Sequence, residues 1–156
     1  MNWLFLIRPI MKVADRARRI VWRLRGKTIH GVMTLAYTPA GQLILIRQTY
    51  LVGWCLPGGG RREAEDPVEA ALRELRQEVG LTAWTKATRL DTLERRLSGA
   101  PALIDLIRVE GAEFRFRKNL ETEAVGLFDP DDLPANINSW SLEFIQYERM
   151  KVRPSL

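Results

Sequence analysis

From Thr28 onward the chain breaks into short apolar runs separated by polar turns. TIHGVMTLAY (residues 28–37) and QLILIRQ (residues 42–48) are dense in β-branched and aliphatic side chains and read as strands. The TPAG between them carries turn chemistry, so the two are expected to form a β-hairpin. Residues 86–97 and 102–109 read as further strands around a Ser-Gly-Ala-Pro turn. Residues 112–117 (AEFRFR) alternate cleanly, and residues 125–128 read as a short strand.

The period changes between residues 67 and 79. At about 100° per residue, Val68, Ala71, Leu72, Leu75 and Val79 fall on one stripe, as in a helix with one buried face. Asp66 as N-cap, Pro67 at the first helical position and Glu69 three residues after the cap mark its start, and Gly80 marks its end. After the loop DPDDLP, residues 139–150 read as a closing helix. A sheet flanked by helices, hence an α/β fold, accounts for this order.

The chain has 156 residues, 46% of them hydrophobic and 28% charged, values of a globular domain with its own core rather than of a disordered chain. No apolar run is long enough to span a bilayer. Cys55 is the only cysteine, which precludes an internal disulfide and fits a reducing, cytoplasmic location. One Cys with one His also argues against a zinc site.

The net charge of +5 is unevenly placed. Residues 1–27 hold eight Lys or Arg and one acid, whereas the remainder is slightly acidic. The chain therefore divides into a basic N-terminal arm, residues 1–27, and a main domain, residues 28–156, that is not expected to bind duplex DNA. No charge precedes the apolar cluster Trp3 to Ile7 and no small-residue cleavage site follows it, so the arm does not read as a cleaved signal. Three readings stay open for it. It can be a helix packed on the domain or on a second subunit of a homodimer, a helix lying on an anionic membrane surface, or a disordered arm. The second would make the protein peripheral to the membrane.

The chemistry concentrates on the first helix. Glu74, Gln77 and Glu78 share a flank away from Arg73 and Arg76. Glu74 and Glu78 are four apart, and like charges at that spacing cost an isolated helix a few tenths of a kcal/mol, roughly. The flank is either a solvated face, neutralised by Arg73 and Arg76, or a Mg²⁺ site, because hard divalent cations take carboxylate oxygens. The glycines of Pro57 to Gly60 would let backbone groups approach such a site.

The whole stretch PGGGRREAEDPVEAALRELRQEVGL, residues 57–81, resembles the signature of the Nudix hydrolases, G-x5-E-x7-R-E-U-x-E-E-x-G-U with U a bulky aliphatic residue. Gly59, Glu65, Arg73, Glu74, Leu75, Glu78, Gly80 and Leu81 occupy eight of the nine fixed positions, and Gln77 stands where the family has Glu. The resemblance runs over roughly residues 28–148 and leaves out the arm. It implies an α/β/α sandwich with a mixed sheet between helices. It implies cleavage of a nucleoside diphosphate linked to another group, by water attack on phosphorus, with Mg²⁺ or Mn²⁺. It makes Glu74 and Glu78 metal ligands, with the Gly58 carbonyl and the Gln77 amide oxygen as further ligands. Glu74 would also handle the proton of the attacking water, and Arg73, paired with Glu65, would hold a carboxylate in place.

Gln77 contributes no negative charge, which implies weaker metal affinity, or a fold that binds a nucleotide without cleaving it. Arg61 and Arg62 either help a polyphosphate bind or are solvated loop residues. Arg47 either reaches a phosphate or is a surface strand arginine. Glu121 and Glu123 are candidates for a further acid, or lie on a solvated strand edge. Tyr50 and Trp54 either stack on a base or pack. His30 is expected to be structural and Cys55 an apolar filler.

Overall fold

The structure, a computed structural model, describes residues 28–97 and 99–152. The arm of residues 1–27 lies outside the described residues. In chain order the elements are β1 (Ile29–Ala36), β2 (Leu43–Gln48), β3 (Gly58–Gly60), α1 (Pro67–Glu78), β4 (Leu81–Ala83), β5 (Lys86–Leu97), β6 (Ala100–Glu110), β7 (Glu113–Phe114), β8 (Thr122–Phe128) and α2 (Ser139–Val152). The main sheet has the order β3-β1-β6-β5. It is mixed: β1 runs parallel to β6, while β3 on β1 and β5 on β6 are antiparallel. Two antiparallel pairs, β2 with β8 and β4 with β7, flank it.

Alternation along the strands builds two cores. Val32 and Ala36 of β1, Ile44 and Ile46 of β2, and Ile107 and Val109 of β6 face one side and pack with Leu72 and Leu75 of α1. Leu35, Leu45, Ile104 and Leu106 face the other side and pack with Phe144 and Ile145 of α2. The result is the expected α/β/α sandwich. Ala70 and Glu78 join the buried side of α1, beyond the stripe read from the sequence.

One expected element is corrected. The turn at Thr38 to Gln42 does reverse the chain, but β1 and β2 do not form a hairpin. They meet only at a bridge between Tyr37 and Leu43, after which β1 lies between β3 and β6 and β2 pairs with β8. Both strands are apolar on both faces, and such strands bury best inside a layered fold. The alternating run at residues 112–117 is also shorter than expected, with only Glu113–Phe114 paired.

α1 carries the start signals as read. The Asp66 carboxylate accepts the N–H groups of Val68 and Glu69 at 2.9 and 3.0 Å, and Pro67 opens the helix. Gly80 ends it at φ +74, where an added Cβ would meet the Arg115 carbonyl oxygen at 2.2 Å. The face of the strands beneath α1 turns polar at one end. The row Ile44, Ile46 on β2 continues to Gln48, and the row Val109, Ile107 on β6 continues to Asp105, both polar residues buried.

Candidate active site

α1 and β3 bring the charged flank against the glycine run. The Arg73 guanidinium donates from Nε and Nη2 to Glu65 at 3.0 and 3.3 Å, from Nη1 to Glu74 Oε1 at 2.6 Å, and from Nη2 to the Gly60 carbonyl at 3.0 Å. One planar fork thus ties Glu65, Glu74 and the loop together. A Cβ on Gly59 would lie 2.7 Å from the Glu74 carboxylate, so the bare backbone there is what lets the carboxylate rest on the loop. The Gly58 N–H donates to Glu78 Oε2 at 2.9 Å, and the Gln48 amide donates to Glu78 Oε1 at 3.0 Å.

Glu78 is only 4% exposed, and no Lys or Arg pairs with it among the described residues. Burial pushes its pKa up to about 8, with the charges of Glu74 and Glu121 adding and the Gly58 N–H and Gln48 amide opposing. Burial likewise raises Glu74, against its bond to Arg73. Glu65 moves the other way, held below the usual carboxylate range by Arg73.

A buried carboxylate with no cationic partner, next to two others that repel it, is a site that lacks positive charge. Its donors are oxygens, the chemistry of a hard divalent ion. Among the described residues no three Asp, Glu, His or Cys side chains form a closed cage. The oxygen donors present fit Mg²⁺ or Mn²⁺.

A NUDIX domain is matched over residues 27–147. The chain belongs to the Nudix family. Solved structures that share the fold include a MutT NUDIX hydrolase from Burkholderia pseudomallei, 24% identical with a TM-score of 0.65, over 77% of this chain and 97% of that one. A NUDIX hydrolase from Nitrosomonas europaea is 13% identical with a TM-score of 0.66, over 80% and 90% of the two chains. The NUDIX domain of Shewanella oneidensis NrtR, solved with ADP ribose, is 15% identical with a TM-score of 0.63, over 81% and 89%. No curated protein sequence matches. At these identities the solved structures establish the fold, and membership of the family makes the chain a hydrolase of phosphoric anhydride bonds.

The Nudix box accounts for part of the residues singled out from the sequence. Gln77 is exposed, its side chain makes no hydrogen bond among the described residues, and its backbone carbonyl accepts from Asn119 at 3.0 Å. Arg61 differs from the expectation of a substrate or solvent contact. Its Nε and Nη2 hold Asp105 at 2.7 Å, and Nη1 donates to the carbonyls of Arg62 and Glu63 at 3.0 and 2.9 Å, so it braces the loop from within. Arg62 is exposed beside Glu65. Arg47 pairs with Glu123 at 3.5 Å and lies over the Trp54 ring, which itself packs edge-on against Phe128. Cys55 is buried, and burial pushes its thiol up to about 12, far from a nucleophile.

Glu121, a candidate further acid in the sequence, is joined by two residues that the sequence did not single out, Asp105 and Gln48. Glu121 is exposed, yet its charge is felt at both Glu74 and Glu78. Asp105 is fully buried between Arg61 and Arg89, with the Thr92 hydroxyl donating to it at 2.5 Å. Gln48 of β2 reaches across to Glu78 at the end of α1. The available signal was an amide and an acid ending otherwise apolar strand rows. A cavity of about 340 Å³ opens beside Gly58 to Gly60, walled by Ile29, Met33, Leu51, Ile104 and Trp140, and Gln48 and His30 also line it. No Asp, Glu, Lys or Arg lines it among the described residues.

Proposed function

We propose that the protein is a divalent-metal-dependent pyrophosphohydrolase of a nucleoside diphosphate linked to another group. One observation carries this reading: Glu78 is a buried carboxylate with no cationic partner among the described residues, beside Glu74 and bonded to Gln48 and Gly58, which line a neutral cavity. Glu74 and Glu78 would hold Mg²⁺ or Mn²⁺, with the Gly58 carbonyl as a further ligand and Glu121 adding negative charge at both carboxylates. The bound ion supplies neutralisation of the diphosphate and acidity for the attacking water. The protein's own groups do the rest. Glu74, made more basic by burial, accepts the proton as the water oxygen bonds to phosphorus and the anhydride P–O bond breaks. Arg73 keeps Glu74 oriented and is itself fixed by Glu65. The glycine loop lets the phosphates come close to the backbone, and Arg62 is the exposed cation beside it.

The cavity favours an uncharged, ring-shaped moiety such as a nucleobase over a second phosphorylated group. The test is hydrolysis of a panel of nucleoside triphosphates, nucleotide sugars and dinucleoside polyphosphates, with Mg²⁺ or Mn²⁺. Nucleoside triphosphates are expected to turn over with the highest kcat/KM. Preferential cleavage of dinucleoside polyphosphates would contradict the assignment of the cavity, and cleavage of nothing would contradict the enzyme reading.

Gln77 favours a second reading, a Nudix fold that binds a nucleotide and cleaves weakly. Binding without turnover, converted to turnover by Gln77→Glu, would establish it. For residues 1–27, the excess of basic residues is compatible with an anionic lipid surface as partner, beside the reading of a helix packed on the domain or on a second subunit. Co-sedimentation with anionic vesicles should be lost when these residues are deleted; binding that survives the deletion would rule the arm out.

A further inference from the structure

Gln48 stands where a strand row has no packing reason to carry an amide. It follows Ile44 and Ile46 on the face of β2 that meets α1, and is 8% exposed. A β-bulge sits next to it: Arg47 pairs with Ala124 but Gln48 pairs with Thr122, leaving Glu123 as the extra residue on β8. Bulges of this kind re-aim a side chain. The amide Nε2 donates to Glu78 Oε1 at 3.0 Å while the Gly58 N–H takes Oε2 at 2.9 Å. Both oxygens are thereby pinned, and each keeps a lone pair for a cation. Neither donor carries a charge that would compete with one. Glu74 differs, since the Arg73 guanidinium occupies its Oε1 at 2.6 Å.

We propose that Gln48 is a positioning residue of the site, which holds Glu78 in the orientation that binds the divalent ion. This rests on Glu78 being a metal ligand. The role weighs more in this chain because Gln77 leaves the helix one carboxylate short, so the fixed geometry of Glu78 carries a larger share of the affinity. A metal-ligating carboxylate left unpinned must be ordered at the moment of binding, and loss of such an outer partner typically weakens binding about ten- to a hundredfold.

The test uses two variants of the full chain. Gln48→Met keeps the length and removes the donor; Gln48→Asn keeps the amide but falls a methylene short. Binding of Mn²⁺ without substrate is read from the electron paramagnetic resonance signal of the free ion. Both variants are expected to bind Mn²⁺ about ten- to a hundredfold more weakly than wild type, with cooperative melting in EDTA retained. The Mg²⁺ concentration for half-maximal turnover should rise by the same factor, and the rate at saturating Mg²⁺ should recover. A merely structural role would lower the melting temperature and leave Mn²⁺ affinity unchanged. Wild-type Mn²⁺ affinity in either folded variant overturns the proposal, as does failure of both variants to fold. A wild-type protein that binds no Mn²⁺ overturns the metal reading itself.

Discussion

Arg73 joins more of the site than any other side chain, and it was legible because its partners are near in sequence. Glu65 lies eight residues before it and Glu74 one after. Arg73→Lys keeps the charge but loses the fork. It should lower kcat by about ten- to a hundredfold with little change in KM, as read by steady-state kinetics. Equal loss in kcat and gain in KM would instead make Arg73 a substrate contact. Gln48 and Asp105 were not legible, because their partners lie 30 and 44 residues away and only the folded sheets bring them together. The same distance hid the partner of Arg61, which the sequence left open between a polyphosphate contact and a solvated loop residue. Bound to buried Asp105, it is a brace. Arg61→Met should cost about 3 kcal/mol, the low end for stripping one partner from a buried ion pair, because Arg89 still neutralises Asp105. Urea denaturation measures this; unchanged stability with a raised KM would return Arg61 to the substrate.

At the scale of elements, the start and end of α1 were legible because their signals are local: a cap, a first-turn proline, an apolar stripe and a terminal glycine. Asp66→Ala removes two accepted N–H bonds and should destabilise the protein by about 1 kcal/mol. Mn²⁺ affinity should not change, since the cap lies two turns from Glu74. A loss of affinity in step with stability would mean the helix start is coupled to the site. The pairing of β1 with β2 was misjudged for the opposite reason. A turn sequence says that the chain reverses, but which strands then pair depends on which faces must be covered. Here β1 is claimed by β6 through eight register pairs and β2 by β8.

For the whole molecule, the buried carboxylate makes stability depend on pH and metal together. A carboxyl whose pKa is raised on folding binds its proton more tightly in the folded state. Between about 4.5 and about 8 the folded protein therefore holds the extra proton, and stability falls as pH rises through that window. The contributions of Glu65 and Asp91, both held below the usual carboxylate range by paired cations, are lost only at lower pH and do not oppose this trend. In EDTA the melting temperature should fall from pH 5 to pH 8. Added Mg²⁺ should raise it more at pH 8 than at pH 5, because the ion replaces the missing charge. A Mg²⁺ shift equal at both values would place the ion away from Glu78.

All of this turns on whether Glu78 serves a metal-dependent hydrolysis. The direct measurement is phosphate or nucleotide release from the best nucleoside triphosphate by wild type and Glu78→Gln, across a titration of Mg²⁺ and after chelation. Turnover that requires the metal in the wild type and is lost in Glu78→Gln, with that variant folded, is the expected result. Turnover that persists in Glu78→Gln or in EDTA would contradict it.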